Sequence, residues 1–207
     1  MFGSFVSPQA ILGADVRIGR FCIVEDGVEL ADGVVLEDYA MVLAGARIGA
    51  RTRIGTYTKI GRDVRIGADC SFTSFCEIRD KCELGDRVLM GSRGTLSAGT
   101  VVEDEVVMKY AFVVTDTPDL QKNNEKSVGR LKRKSRFGAS VVIMPSVTIG
   151  ENSEIGACSQ VRKDVPDNQV WFGTPAKYYR EVDGTVAPAA AAPVAPVVPV
   201  RKLALAR

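Results

Sequence analysis

At 207 residues, with 46% hydrophobic and 25% charged residues and a formal charge of +2, the chain has room for one elongated domain. That charge gives no case for a bulk nucleic-acid partner, and no aromatic stacking platform accompanies the basic residues. The absence of histidine excludes a histidine general base, a histidine zinc ligand and a Ser-His-Asp triad.

Residues 1–11 read as a lead-in that caps the open end of a first coil. Residues 1–10 have no basic flank and no long apolar stretch, and nothing reaches transmembrane length, so neither a signal peptide nor a membrane partner is expected. From Leu12 to Met108 an apolar residue then recurs at every sixth position, through Ile18, Val24, Leu30, Ile54, Ile78 and Leu96. The position four further on, from Val16 to Val106, holds only Val, Cys, Ala, Thr or Gly. A period of six fits neither the 3.6 of a helix nor an ordinary strand. It fits a short strand, a turn, and the same strand again on the next side of a prism. Gly often follows the apolar residue, as at Gly49, Gly55, Gly61 and Gly67, and is read as supplying corner backbone angles that a side chain would forbid. The pattern predicts an all-β fold, a parallel β-helix of hexapeptide repeats.

Three hexads per coil would stack residues eighteen apart, giving outward ladders such as Arg47, Arg65 and Glu83, or Lys59 over Glu77. Cys22, Cys70, Cys76 and Cys82 fall on the small inward position, where a free thiol packs as a compact apolar group. Free buried thiols fit a reducing, cytoplasmic location better than a metal cluster.

The hexads Ile48-Gly49, Ile54-Gly55, Ile60-Gly61 and Ile66-Gly67 resemble the isoleucine-patch repeats of the left-handed β-helix acyltransferases, a resemblance covering roughly residues 10–180. Left-handed coiling is implied by that family, since general chirality rules favour the right-handed crossover. The period breaks after Met108 and resumes clearly at Phe137, Ile143, Ile149, Ile155 and Val161. The stretch at about 114–136 is therefore expected to leave the prism as a polar, basic loop carrying Lys122, Lys126, Arg130, Lys132, Arg133, Lys134 and Arg136. Long loops on rigid scaffolds are frequent functional sites. The following closing coils, with Gly173-Thr174-Pro175-Ala176-Lys177, resemble the end of the family's repeat domain, followed by a short cap. The expected domain spans 1–183, and the Ala/Pro-rich tail 184–207 is expected to be extended or disordered.

Within the family the resemblance is to enzymes that acylate an amino sugar carried on a nucleotide. It implies acyl-CoA, most simply acetyl-CoA, as co-substrate, no metal, a sugar-nucleotide partner, and a homotrimer with its active site between subunits. Ala139, Ser140 and Ala157 would lie beside the pantetheine arm, and Arg162, Lys163 and Lys177 near the coenzyme A phosphates. Ser92 and Arg93 stand where such relatives tend to carry paired asparagines, which assigns them to the acceptor substrate. Thr115-Asp116-Thr117 stands where they tend to carry Thr-Asn-Asp, leaving Asp116 to orient the amine or take its proton. Absent histidine removes the carbonic-anhydrase branch of the fold and the usual histidine-based O-acyl transfer. A sugar amine, once neutral, attacks a thioester far more readily than a hydroxyl does, so N-acylation is expected. Two alternatives remain open: a catalytically silent β-helix serving as an assembly subunit, and an acyltransferase with another acceptor that uses Asp116 as base.

Overall fold

The computed structural model describes residues 3–121 and 127–183. Residues 18 apart lie side by side: Phe5–Val6 pairs with Ile23–Val24, Ile11–Leu12 with Glu29–Leu30, and Arg17–Ile18 with Val35–Leu36, all parallel. These three pairings start faces A, B and C, which accumulate nine, eight and ten strands respectively among the described residues. Two-residue strands cannot bury a surface alone, so each coil is held by the one above it, rising about 4.8 Å per coil. Phe5 N–H donates to Cys22 O at 2.8 Å and Ser7 N–H to Val24 O at 2.9 Å, and the same bonds repeat up the column. This is the architecture of a left-handed parallel β-helix, as the repeat predicts.

The second residue of each strand points inward. Val24, Ile54, Ile60, Ile78 and Leu96 are wholly buried, as are the small inward residues Cys22, Thr52, Thr58 and Cys82. The small residues do more than fill space. Cys70, Cys76 and Cys82 thiols donate to Gly85 O, Gly91 O and Ser97 O at 3.2, 3.3 and 3.2 Å. The Thr52 hydroxyl donates to Gly67 O at 2.9 Å and accepts the Cys70 N–H at 3.1 Å. Corner backbone that would otherwise be buried without a partner is thereby satisfied. Burial pushes the Cys70 and Cys82 thiols up to about 11, so both stay protonated and able to donate at neutral pH.

The glycines that follow the inward residue have a different role from the one the sequence suggests. Gly67 does not have a positive φ; a Cβ there would meet Asp86 Oδ1 at 2.3 Å and the Gly85 carbonyl at 2.6 Å. Asp86 Oδ1 occupies that space because it accepts the Ala68 N–H at 2.8 Å. The same pairing recurs at Gly13 with Asp32 and at Gly61 with Asp80. The left-handed residue comes two positions later, at Asp15, Phe21, Arg51 or Tyr57.

The repeat also runs further than its sequence pattern indicates. Phe5–Val6 already belongs to the first coil, where a lead-in is expected. Val114 and Leu131 are consecutive inward residues 17 positions apart, so eleven residues more than a hexad leave the prism. Ser127 N–H to Asp116 O, at 2.9 Å, closes the neck of this excursion. Arg130–Leu131 and Arg136–Phe137 are strands of the prism, although they fall in the stretch expected to be loop. Residues 122–126 and the tail 184–207 lie outside the described residues. The cap is an antiparallel hairpin of Gln169–Gly173 and Ala176–Glu181, docked through Gly156 N–H to Trp171 O at 2.8 Å.

Candidate functional site

Each corner of the prism joins two faces, and the candidate residues occupy two corners. Between faces C and A, Ser92 and Arg93 are followed, coil upon coil, by Ala139 with Ser140 and then Ala157. Backbone bonds link the column: Ala111 N–H to Ser92 O at 2.8 Å, Ser140 N–H to Tyr110 O at 3.0 Å, and Cys158 N–H to Ala139 O at 2.8 Å. The Ser140 amide and the Ala139 carbonyl are thus already engaged within the coil. Ser92 Oγ lies 3.0 Å from Thr73 Oγ1, and both border a shallow groove on face C with Leu89, Lys109 and Tyr110. Lys177 reaches this corner from the cap. It pairs across the hairpin with Phe172, whose Cβ sits over Gly156 and whose ring meets Tyr179 edge-on at 4.9 Å.

Between faces A and B stand Asp116, Arg162 and Lys163. Asp116 follows the Val113–Val114 strand directly, is only 9% exposed, and accepts the Thr117 hydroxyl on Oδ1 at 2.9 Å. Arg162 donates through Nε to Gln160 Oε1 at 2.7 Å, and Lys163 is exposed. The two corners are the opposite edges of face A, at most about 20 Å apart for a side of six residues at roughly 3.3 Å each. The candidate residues therefore fall into two groups: Ser92, Arg93, Ala139, Ser140, Ala157 and Lys177 on one edge, Asp116, Arg162 and Lys163 on the other. Among the described residues no group of three or more Cys, Asp or Glu is arranged to hold a metal ion.

Sequence reasoning missed a feature of the first corner. Phe21, Tyr39, Tyr57 and Phe75 stack along it with ring centroids 5.1, 4.6 and 5.1 Å apart, each ring between 42% and 54% exposed. The signal was present, since aromatics recur there every eighteen residues; the inward period drew attention away from the outward one.

A family model described as the hexapeptide repeat of succinyl-transferase matches residues 9–37. A galactoside O-acetyltransferase of Lactococcus lactis is 42% identical over 69 residues, 32% of this chain and 33% of that protein. Its Escherichia coli counterpart is 53% identical over 47 residues, 23% of each chain. The alignments thus span a third or less of these curated relatives. In fold, a UDP-N-acetylglucosamine acyltransferase of Bacteroides fragilis superposes with a TM-score of 0.65 at 16% identity, over 86% of this chain and 73% of the other. Repeat, coil geometry and relatives agree: this is a hexapeptide-repeat β-helix protein that resembles acyltransferases in both sequence and fold.

Proposed function

We propose that this chain is an acyl-CoA-dependent N-acyltransferase, acetyl being the expected group, whose acceptor is the amine of a nucleotide-linked amino sugar. The carrying observation is the placement of cations and backbone beside a repeat column on one edge of face A and of a largely buried carboxylate on the other. The relatives' names support transfer of an acetyl group, and the fold parallel supports a sugar-nucleotide acceptor.

The chemistry suits a chain without histidine. The neutral amine nitrogen attacks the thioester carbonyl, a C–N bond forms, the C–S bond breaks, and coenzyme A leaves as thiolate. The surplus ammonium proton goes to that thiolate or to Asp116. Lys177 and Lys163 hold the coenzyme phosphates as point charges and Arg162 as a planar fork, while Ser92 and Arg93 hold the acceptor. Positioning amine and thioester in line then accounts for much of the rate. Because Asp116 and Arg93 lie on opposite edges of face A, the complete site takes one edge from each of two neighbouring subunits of a homotrimer.

A second reading, O-acylation of a sugar hydroxyl with Asp116 as base, is favoured by the names of the Lactococcus and E. coli relatives. Thiol release from acetyl-CoA, measured against a panel of UDP-amino-sugars and galactosides, separates the two. Turnover confined to galactosides would refute N-acylation. No binding of coenzyme A at millimolar concentration would refute transfer altogether and leave a structural subunit.

A further inference from the structure

Arg20 and Arg62 stand in the same relation to the next coil, yet only one is engaged there. Arg20 N–H donates to Asp38 Oδ1 at 2.8 Å, and its guanidinium binds Asp38 Oδ2 at 2.6 Å. Arg62 N–H donates to Asp80 Oδ1 at 2.9 Å in the same way, but its guanidinium does not take the second oxygen. Among the described residues neither Arg62 nor Arg79 has a carboxylate within ion-pair distance. Both line a cavity of about 180 Å³ on the edge between faces A and B, together with Lys59, Glu77, Asp80 and Ala98. The carboxylates there are engaged: Glu77 meets Lys59 at 3.8 Å, and Asp80 Oδ1 holds the Arg62 amide. Two guanidinium forks are left to the cavity, and their planar donors match phosphate oxygens two at a time. The cavity is smaller than the roughly 300–1,000 Å³ of pockets that enclose drug-sized ligands, so it admits a phosphate group and not a whole nucleotide.

Register fixes where this cavity lies relative to Asp116. Ile78 pairs with Leu96, and Leu96 with Val114. Two residues beyond the strands, Asp80, Ala98 and Asp116 therefore follow one another up the same edge. The coil of Arg79 and Asp80 is two coils from that of Asp116, about 10 Å at roughly 4.8 Å per coil. The coil between them presents Ala98 and Gly99, and a Cβ on Gly99 would meet nothing nearer than Val128 Cγ2 at 3.7 Å. A carboxylate, a shelf of small residues and a pair of guanidinia thus succeed one another along one edge. Amine, pyranose ring and anomeric diphosphate succeed one another in the same order along an amino-sugar nucleotide.

We propose that Arg62 and Arg79 form a diphosphate subsite for the acceptor, which lies along the edge between faces A and B with its amine at Asp116, its sugar over Ala98 and Gly99, and its diphosphate between the two guanidinia. The inference rests on the reading of Asp116 as the group that meets the acceptor amine, and it adds a subsite to the contacts assigned to Ser92 and Arg93. It also sets the direction of the ligand: the nucleoside continues away from Asp116, toward Leu43.

The test is calorimetric titration of the full chain with UDP, GDP and inorganic pyrophosphate, each alone. Wild type is compared with Arg62→Gln/Arg79→Gln and with a control, Arg17→Gln/Arg65→Gln, which removes two exposed arginines from faces C and B. Wild type should bind at least one probe, the first variant should bind it more weakly by roughly tenfold or more, and the control should match wild type. The first variant should also raise KM for the sugar-nucleotide acceptor while leaving KM for acetyl-CoA unchanged. A rise in KM for acetyl-CoA instead would assign the cavity to the coenzyme's own diphosphate and overturn the acceptor subsite. Equal affinity in wild type and the first variant, an equal loss in the control, or no binding of any probe at millimolar concentration would overturn it too; turnover of a UDP-amino-sugar would then leave the enzyme reading standing. Selective loss of probe binding, in a protein that turns over no amino-sugar nucleotide, would sustain the diphosphate subsite and refute N-acylation.

Discussion

The close fit of glycine against the aspartate of the next coil makes a quantitative prediction. In Gly67→Ala the new Cβ would lie 2.3 Å from Asp86 Oδ1 and 2.6 Å from the Gly85 carbonyl carbon and oxygen. The carboxylate can swing aside, but doing so breaks its 2.8 Å bond from the Ala68 N–H, at about 1 kcal/mol. The Gly85 backbone is part of a coil and must shift, an overpacking cost of about 1–3 kcal/mol. The expected destabilisation is therefore about 3 kcal/mol. Gly33→Ala is the contrasting case: its φ of 70° is left-handed, but its nearest neighbour, Arg51 Cγ, is an ordinary 3.5 Å away. Only the conformational term applies there, about 1 kcal/mol. Urea unfolding followed by circular dichroism, at one protein concentration for all variants, measures both. Asp86→Ala added to Gly67→Ala should recover only a small part of the loss, because the backbone clash remains. Equal costs at positions 67 and 33, or full recovery in the double variant, would refute the steric account.

Four further outcomes are expected. In the native protein a thiol reagent at pH 8 should modify Cys158 alone, because it is exposed while Cys22, Cys70, Cys76 and Cys82 are buried; all five should react in denaturant. The buried thiols' raised pKa values add stability that is complete below the ordinary thiol range and fades as pH climbs toward about 11, so the melting temperature should fall over that alkaline window. The Glu37 carboxyl is held below its ordinary range by hydrogen bonds from Arg53 and Thr56, Asp38 by Arg20, and Asp69 by Arg51. A depressed carboxylate contributes stability above its unfolded pKa and loses it as pH falls through the folded one, so a second decline is expected below about pH 4. Lys177→Ala should weaken coenzyme A binding by calorimetry about tenfold, the loss of one charge-assisted phosphate contact, without changing the melt; unchanged affinity would remove Lys177 from the site.

The fold was legible because burial leaves a period. Each coil needs one large and one small inward residue per side, so Ile54, Ile60 and Ile66 announce the prism before any coordinates do. Val114 lies six residues after Met108 and Leu131 six before Phe137, each in step with the repeat on its own side of the excursion; Phe112, a ring in a small inward position, and the polar, basic run before Phe137 mask them. Outward residues carry weaker signals, since water accepts most side chains. The aromatic corner is an exception that only a period of eighteen exposes. The split of the candidate residues between two edges was beyond reach for a geometric reason: Asp116 and Arg93 are 23 positions apart in the chain, yet a face of the prism separates them.

Subunit complementation tests the shared active site most directly. Arg93→Ala and Asp116→Ala should each abolish acetyl transfer. Mixed in equal amounts and allowed to exchange subunits, they should regain about a quarter of wild-type activity, because a heterologous ring regenerates one intact site wherever the two variants meet in the right order. A mixture as inactive as its components, from variants that demonstrably exchange, would contradict a site built from two edges of face A.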